Sequence, residues 1–340
     1  MITRRGFLGA GLGTLTASML AGCTDGSMTS VGPRDAGDGS NLLTASDVHV
    51  ADYPTVLAVY WLGKELEQQT DGRVRLRMYH SGQLGRESEA IDMARFGAID
   101  ITRVYSGALN NAFPLTQPLC LPYVFDSVSH MRRALDGGVA DAVLRGFASR
   151  DLVGLAIYDS GTRNFYNTKH PIVEPKDLHG LKLRVARSDI FLELIRMFGA
   201  NPTPMSLGAT FSGLETHMID GAENNMLSFQ SSRHFEAAHY WSETEHSYAP
   251  DILLMSRRNF EKLKPSDREL VLDLARRSVT VMREHWDATE GKARQAVLAA
   301  GVKTNKADVA AFRKAAAPLL QEYLKQPDVA EIYRHIRKFA

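Results

Sequence analysis

The sequence predicts an α/β protein of two domains, and three observations carry that expectation. Short β-like apolar runs alternate with stretches of helical period along the chain. The body beginning near Asn41 holds about 300 residues, more than one simple core accommodates and enough for two. A stretch opening at Pro265 meets no helix breaker until Gly291, far longer than a single domain of about 150 residues requires.

The elements follow in order. Asn41–Ala45 and Val74–Tyr79 read as strands flanking a helix from about Pro54 to Gln69. Val56, Val59, Tyr60, Gly63 and Leu66 form its apolar face, and Thr70-Asp71-Gly72 stops it. A helix over Glu87–Phe96, closed by Gly97, precedes a strand at Ile99–Val104. Leu152–Tyr158 and Leu181–Val185 are further strands, and Asp189–Phe198 is a helix capped by Ser188 and ended by Gly199. Helices packed on the faces of sheets are the α/β arrangement this alternation implies. At Pro265-Ser266-Asp267-Arg268-Glu269, Ser266 and Glu269 have capping-box spacing. A continuous helix from there to about Ala300 would be roughly 50 Å long at 1.5 Å per residue. It is expected to run behind both domains and link them. No internal repeat is present.

The first residues point to export. Thr3-Arg4-Arg5-Gly6-Phe7-Leu8 sets twin arginines before a weakly apolar, Gly-rich run from Gly9 to Met19, the pattern of a Tat signal. That run is shorter than the ~20 apolar residues that span a bilayer. It ends in Leu20-Ala21-Gly22-Cys23, which resembles a bacterial lipobox. Residues 1–22 are therefore expected to be a signal peptide, with Cys23 acylated as the mature N-terminus. An ordinary cleaved signal with an incidental Cys is the alternative. Residues 23–40, rich in Gly, Ser and Asp, form a tether too poor in apolar side chains to fold. Its reach is on the order of 20–25 Å. The expected location is extracytoplasmic and held at a membrane by lipid.

Composition excludes several functions. Lys and Arg number 40 against 39 Asp and Glu, a net charge of +1, and the signal contains two of the bases. Such a balance supplies no basic field for nucleic acid and no polybasic patch for lipid. With Cys23 lipidated, Cys120 stands alone, so neither an intramolecular disulfide nor a CxxC redox or zinc motif can form. Cys120 lies among Leu119, Leu121 and Pro122 and reads as a buried, inert thiol. The glycine run Gly9-Ala10-Gly11-Leu12-Gly13 falls in the signal, not after a strand. His234 and His239 are spaced wrongly for a zinc-binding HExxH and read as polar residues on a partly exposed helix. No GxSxG elbow occurs in the body and no phosphate loop is present. No catalytic residue, cofactor or metal is expected.

What remains is arginine and asparagine at strand ends. Gly161-Thr162-Arg163-Asn164 follows the strand Leu152–Tyr158. Arg184 alternates with Leu183 and Val185, and Asp220-Gly221-Ala222-Glu223-Asn224-Asn225 ends a short extended run. Open α/β sheets bind ligands outside the carboxyl ends of their strands, where a guanidinium fork suits a carboxylate. On the residues alone, each arginine reads equally as a structural ion pair or a ligand contact.

From about Leu42 to the final helices the chain resembles the binding proteins of TRAP (tripartite ATP-independent periplasmic) transporters, the DctP-type family. Ser81-Gly82-Gln83-Leu84-Gly85-Arg86-Glu87, Leu121-Pro122-Tyr123-Val124-Phe125, Asp177–Val185, Gly199–Met205 and Asp220–Asn224 carry the resemblance in order. It implies a two-domain periplasmic solute-binding fold that closes on ligand like a clam shell. The expected division is residues 41–160 with 250–289, and 161–249 with 290–340. The resemblance also implies that Arg184 holds a ligand carboxylate, with Arg163 and Asn224 beside it. The sequence departs from the family pattern at Gly208-Ala209-Thr210-Phe211, Gly213 and Glu215.

A narrower similarity to members that bind uronic acids runs through His49, Asp52–Val56, Thr102-Arg103, Leu109–Asn111, Tyr158–Gly161, Phe165–Thr168, Gly221–Asn225, Ser231–Glu236 and Thr244–His246. Met226 and Leu227 depart from it. It implies a glucuronate- or galacturonate-like ligand and a contact set of Arg184, Arg163, Asn224, Arg103, Asn164, Glu87 and His49. The implied partners are the small and large membrane subunits of a TRAP transporter. A binding protein for another organic acid feeding a sensor kinase, and a periplasmic sugar-acid enzyme, are the competing readings.

Overall fold

The computed structural model describes residues 41–340. The twin arginines, Cys23 and the tether lie outside the described residues. The described residues form eleven strands: β1 (Asn41–Ser46), β2 (Val74–Tyr79), β3 (Ile101–Tyr105), β4 (Leu152–Tyr158), β5 (Arg163–Asn167), β6 (Lys182–Val185), β7 (Asn201–Pro204), β8 (Gly221–Asn224), β9 (Tyr240–Ser247), β10 (Asp251–Ser256) and β11 (Lys303–Lys306). They form a five-stranded sheet, β2-β1-β3-β10-β4, and a six-stranded sheet, β11-β9-β5-β8-β6-β7.

The chain crosses between the sheets twice through strands. β4 ends at Tyr158 and β5 begins at Arg163; β9 ends at Ser247 and β10 begins at Asp251. The two crossings run side by side, because Tyr158 pairs with Asp251 in one sheet and Arg163 with Ser247 in the other. The Ser160 hydroxyl fastens them by donating to the carbonyls of Tyr248 and Ala249 at 2.6 and 2.8 Å. Gly161 sits at φ +65 with the Trp286 ring 2.8 Å from where a Cβ would stand, so both conformation and space require glycine.

Alternation along the strands builds apolar layers on both faces of both sheets. Ile157 and Phe165 belong to one buried cluster, and Tyr158 and Tyr166 to the other. The helix Pro54–Gln69 meets the second cluster with Val56, Ala58, Val59, Leu62 and Leu66. Tyr60, assigned to that face from the sequence, is 42% exposed instead. Leu62 takes its place, because the buried stripe is wider than a single row of i, i+3, i+4 positions.

The long helix spans Pro265–Ala299, 35 residues, passing through Gly291 without a break. It packs against the Pro54–Gln69 helix and β4 on one side and the helix Met226–Ser231 on the other, so it touches elements of both halves. The expected capping box is absent. Helix begins at Pro265, which needs no amide donor at its first position, and Ser266 and Glu269 already lie inside it. Asp267 in this first turn instead receives both ends of the Arg73 guanidinium, at 2.6 and 2.7 Å. Ser188 does sit at the cap position of Asp189–Met197 but makes no capping bond; its hydroxyl accepts from Asn110 Nδ2 at 3.0 Å. No described helix is long and apolar enough to cross a membrane.

Candidate ligand-binding cleft

A cleft with about 350 Å³ of empty space lies where the strand ends of the two sheets meet. Arg103, Tyr105 and Asp251 reach it from β3 and β10, and Arg163, Arg184 and Asn224 from β5, β6 and β8. His49 and Glu87 complete one wall, and Leu207, Asn225 and Ser228 the other, with Ser160 at the crossing.

On the wall of the five-stranded sheet, Arg103 is 1% exposed and its donors are spent within the protein. Nε and Nη2 go to Asp47, Nη1 to Glu87 at 3.0 Å and Asp251 at 3.2 Å, and Nη2 also faces His49 Nδ1. Four of the five N–H groups of the fork therefore meet carboxylate oxygens, and the fifth faces His49 Nδ1, which accepts only in the tautomer protonated at Nε2. Burial pushes Asp47 up, but Arg103 and His49 outweigh it and hold its carboxyl well below the usual range. Asp251 goes the other way: burial raises it despite Arg103, and the neighbouring Glu87 and Asp47 add to the rise. His49 stacks on Tyr53 with ring centroids 3.8 Å apart. Both rings reach over to Ser228 of the other half, Tyr53 Oη at 2.9 Å and His49 Nε2 at 3.4 Å.

On the opposite wall the two arginines differ. Arg163 donates Nε to Glu223 Oε2 at 2.5 Å and Nη2 to Glu223 Oε1 at 2.9 Å, and Nη1 to Asn224 Oδ1 at 3.1 Å. Its face lies 4.5 Å over the Tyr105 ring. Burial raises Glu223, yet Arg163 and His246 bring it down to about 2. Arg184 is equally buried, at 4% exposure, and its Nε donates to the Met205 carbonyl at 2.9 Å. Its Nη1 and Nη2 find no acceptor, and no carboxylate pairs with it, among the described residues. Burial, reinforced by the nearby Arg163 charge, lowers its pKa. A buried cation without a counter-charge is energetically costly, and an anion brought to its open fork would relieve that cost.

Six of the seven residues expected at the site thus meet in one cleft: Arg184, Arg163, Asn224, Arg103, Glu87 and His49. Asn164 is the exception. It stands at the register shift of β5, where its amide donates to Thr162 O at 3.1 Å and accepts from Glu245 N at 2.9 Å, so it ties down backbone away from the lining. Tyr105, Ser160, Leu207, Asn225, Ser228 and Asp251 complete the lining. Asp251 had one available signal: a carboxylate immediately before the apolar run Ile252–Met255, hence at the head of a buried strand. Leu207 lines the cleft immediately before Gly208–Phe211, the segment where the sequence leaves the family pattern. Tyr105 also brings a buried hydroxyl with no hydrogen-bond partner among the described residues.

The other chemistry considered from sequence is elsewhere. Cys120 is fully buried with its thiol 3.1 Å from the Ser106 hydroxyl, and burial raises it to about 11. His234 is not on an exposed helix: it is buried in a three-residue turn with Nδ1 2.7 Å from the Tyr166 hydroxyl, while His239 is exposed. Tertiary packing of Phe229 and Trp241 around Tyr166 encloses it.

Comparison with known proteins bears on this cleft. Residues 45–326 match the family described as bacterial extracellular solute-binding protein, family 7, also called DctP. A solute-binding protein of Chromohalobacter salexigens is 34% identical over 293 residues, 86% of this chain and 87% of that one. A TRAP periplasmic solute-binding protein of Xanthobacter autotrophicus, solved with bound β-D-galacturonate, is 41% identical and superposes with a TM-score of 0.85, over 87% of this chain and 99% of that one. One from Pseudomonas putida, solved with D-glucuronate, is 34% identical with a TM-score of 0.84, over 87% and 96%.

Proposed function

The chain belongs to family 7 of the bacterial extracellular solute-binding proteins, and from that premise we propose that it captures a uronic acid for a TRAP transporter. The observation that carries the ligand class is Arg184, a buried guanidinium whose outer nitrogens open on the cleft without a protein carboxylate. The galacturonate and glucuronate bound by its structural relatives support a sugar acid as the anion. In this reading Arg184 takes the carboxylate bidentately. Asn224, held by Arg163, and the acidic opposite wall meet the sugar hydroxyls.

The two sheets, with their helices, act as lobes that close on the ligand about the crossings at 159–162 and 248–250. The division is residues 41–160 with 250–289 against 161–249 with 290–340, except that the C-terminal helix Pro327–Arg337, expected in the second lobe, packs on residues 114–139 of the first. Closure buries the anion and makes contacts the open form lacks, which is what allows ligand to shift the population. The closed form is then recognised by a small and a large membrane subunit. The receptor is non-catalytic, so prolonged incubation with a uronate should return the ligand unaltered.

Export by the twin-arginine route and acylation of Cys23 complete the proposal, leaving residues 23–40 as a tether. Cys23→Ser should then release the protein from the membrane fraction or leave it uncleaved; wild-type protein free of membranes would reject the anchor. For the ligand, the decisive experiment is a thermal-shift screen over uronates, keto acids and dicarboxylates, followed by titration calorimetry. A raised melting temperature with D-galacturonate or D-glucuronate, and none with D-galactose or D-glucose, is expected. Equal response to the neutral sugars would remove the carboxylate from the mechanism.

A further inference from the structure

The charges of the two cleft walls are unequal in a way that restricts the ligand further. On one wall Glu223 neutralises Arg163, and Arg184 is left as the cation. On the other, Arg103 serves Asp47, Glu87 and Asp251 together. Glu87 and Asp251 share its single Nη1, at 3.0 and 3.2 Å, and both line the cleft. Glu87 Oε1 also accepts the Tyr105 amide at 3.0 Å. Resting on the uronate reading above, we propose that Glu87 and Asp251 make the cleft selective for hydroxylated ligands bearing one carboxylate and exclude the corresponding sugar dicarboxylates.

The argument is one of donors and acceptors. Ionised carboxylates only accept hydrogen bonds, so Glu87 suits sugar hydroxyls, which can donate to it, and Asp251 does so in its ionised form, which Arg103 at 3.2 Å favours against the upward push of burial. A second ligand carboxylate on this wall would meet acceptors and like charge. Arg103 is poorly placed to rescue it, because four of its five N–H groups already serve Asp47, Glu87 and Asp251. Arg184 cannot serve both ends of the ligand, since it stands on β6 in the other sheet. Building repulsion against a near-cognate ligand is an economical source of specificity, and burial strengthens it by lowering the local dielectric.

The test uses D-galacturonate and galactaric acid, the dicarboxylate of the same carbon skeleton, titrated into the purified protein at pH 7. Galactarate is expected to bind at least about 100-fold more weakly. Glu87→Gln and Asp251→Asn keep an acceptor and remove the charge, and each should narrow the gap by about tenfold or more, chiefly by improving galactarate. Glu87 is part-exposed, so its variant carries this arm even if Asp251→Asn folds poorly. Equal wild-type affinities for the two acids would overturn the proposal. So would a gap that neither neutral variant narrows, since ring shape would then explain it. Failure of wild type to bind any uronate would instead sink the underlying ligand assignment, a result distinct from equal binding.

Discussion

Arg163 and Glu223 lock together across β5 and β8 in a buried two-point ion pair, Nε to Oε2 at 2.5 Å and Nη2 to Oε1 at 2.9 Å. The pair divides the labour between the two arginines on its wall. Arg163, with its fork filled, presents Asn224 to the cleft, and Arg184 keeps its fork open.

Breaking that pair from the acid side strands a charge in a place with almost no water. Glu223→Ala is expected to cost about 3–5 kcal/mol of stability, read from the urea unfolding midpoint. Replacing both partners, as in Arg163→Met with Glu223→Leu, should recover much of the loss, because no charge is then buried. A Glu223→Ala protein as stable as wild type would mean that water already reaches the pair.

Acid should weaken the fold early, through histidines. Burial, with Arg184 nearby, holds His234 at about 3 against an ordinary value of 6.5. The unfolded chain therefore binds a proton between pH 6.5 and 3 that the folded chain refuses. Stability is complete above 6.5 and falls as pH drops through that window, by about 1.4 kcal/mol per pH unit for one proton. Burial also lowers His246, so it adds to the slope in the same direction. His234→Gln retains a partner for the Tyr166 hydroxyl and should flatten the dependence of the melting temperature on pH below 6.5. An unchanged profile would place the titration elsewhere.

Local pattern was a good guide wherever the physics is local. The helix Pro54–Gln69 and the strands Val74–Tyr79 and Leu152–Tyr158 follow from apolar period and from stop residues. Arg184 was legible as a polar residue between two core positions of a strand. The roles of the two arginines were not, because what separates them is Glu223, sixty residues from Arg163 in sequence and adjacent to it in the sheet. The same holds for Arg103, whose acids at 47, 87 and 251 come from separate parts of the chain. His234 was misplaced for a related reason: its burial depends on Tyr166, which no helical period reveals.

Ligand should make the molecule smaller. The Tyr53 and Ser228 hydroxyls, 2.9 Å apart, and the His49–Ser228 contact join the two halves across the cleft. If these contacts form only on closure, solution scattering should show a lower radius of gyration with saturating uronate than without. Tyr53→Phe removes one of them while keeping the ring, and should raise the ligand dissociation rate more than it slows association. Identical scattering curves with and without ligand would point to a rigid pocket.

Arg184 separates stability from binding. Its guanidinium makes one hydrogen bond, to a backbone carbonyl, and pairs with no carboxylate among the described residues, so an apolar side chain in its place costs the fold little. Arg184→Met is accordingly expected to melt at or above the wild-type temperature in the absence of ligand. Binding should behave in the opposite sense. Truncating one side of a desolvated, hydrogen-bonded charge pair costs about 2–5 kcal/mol, or roughly 30- to 5,000-fold in affinity. Arg184→Lys should fail almost as badly as Arg184→Met, because a point charge cannot reproduce two parallel N–H bonds to a carboxylate and loses the Met205 contact made by Nε. Titration calorimetry on both variants, beside their ligand-free melting curves, tests the two halves together. A lysine variant that binds uronate like wild type would show that charge alone holds the ligand, and a methionine variant that unfolds would show that Arg184 supports the core.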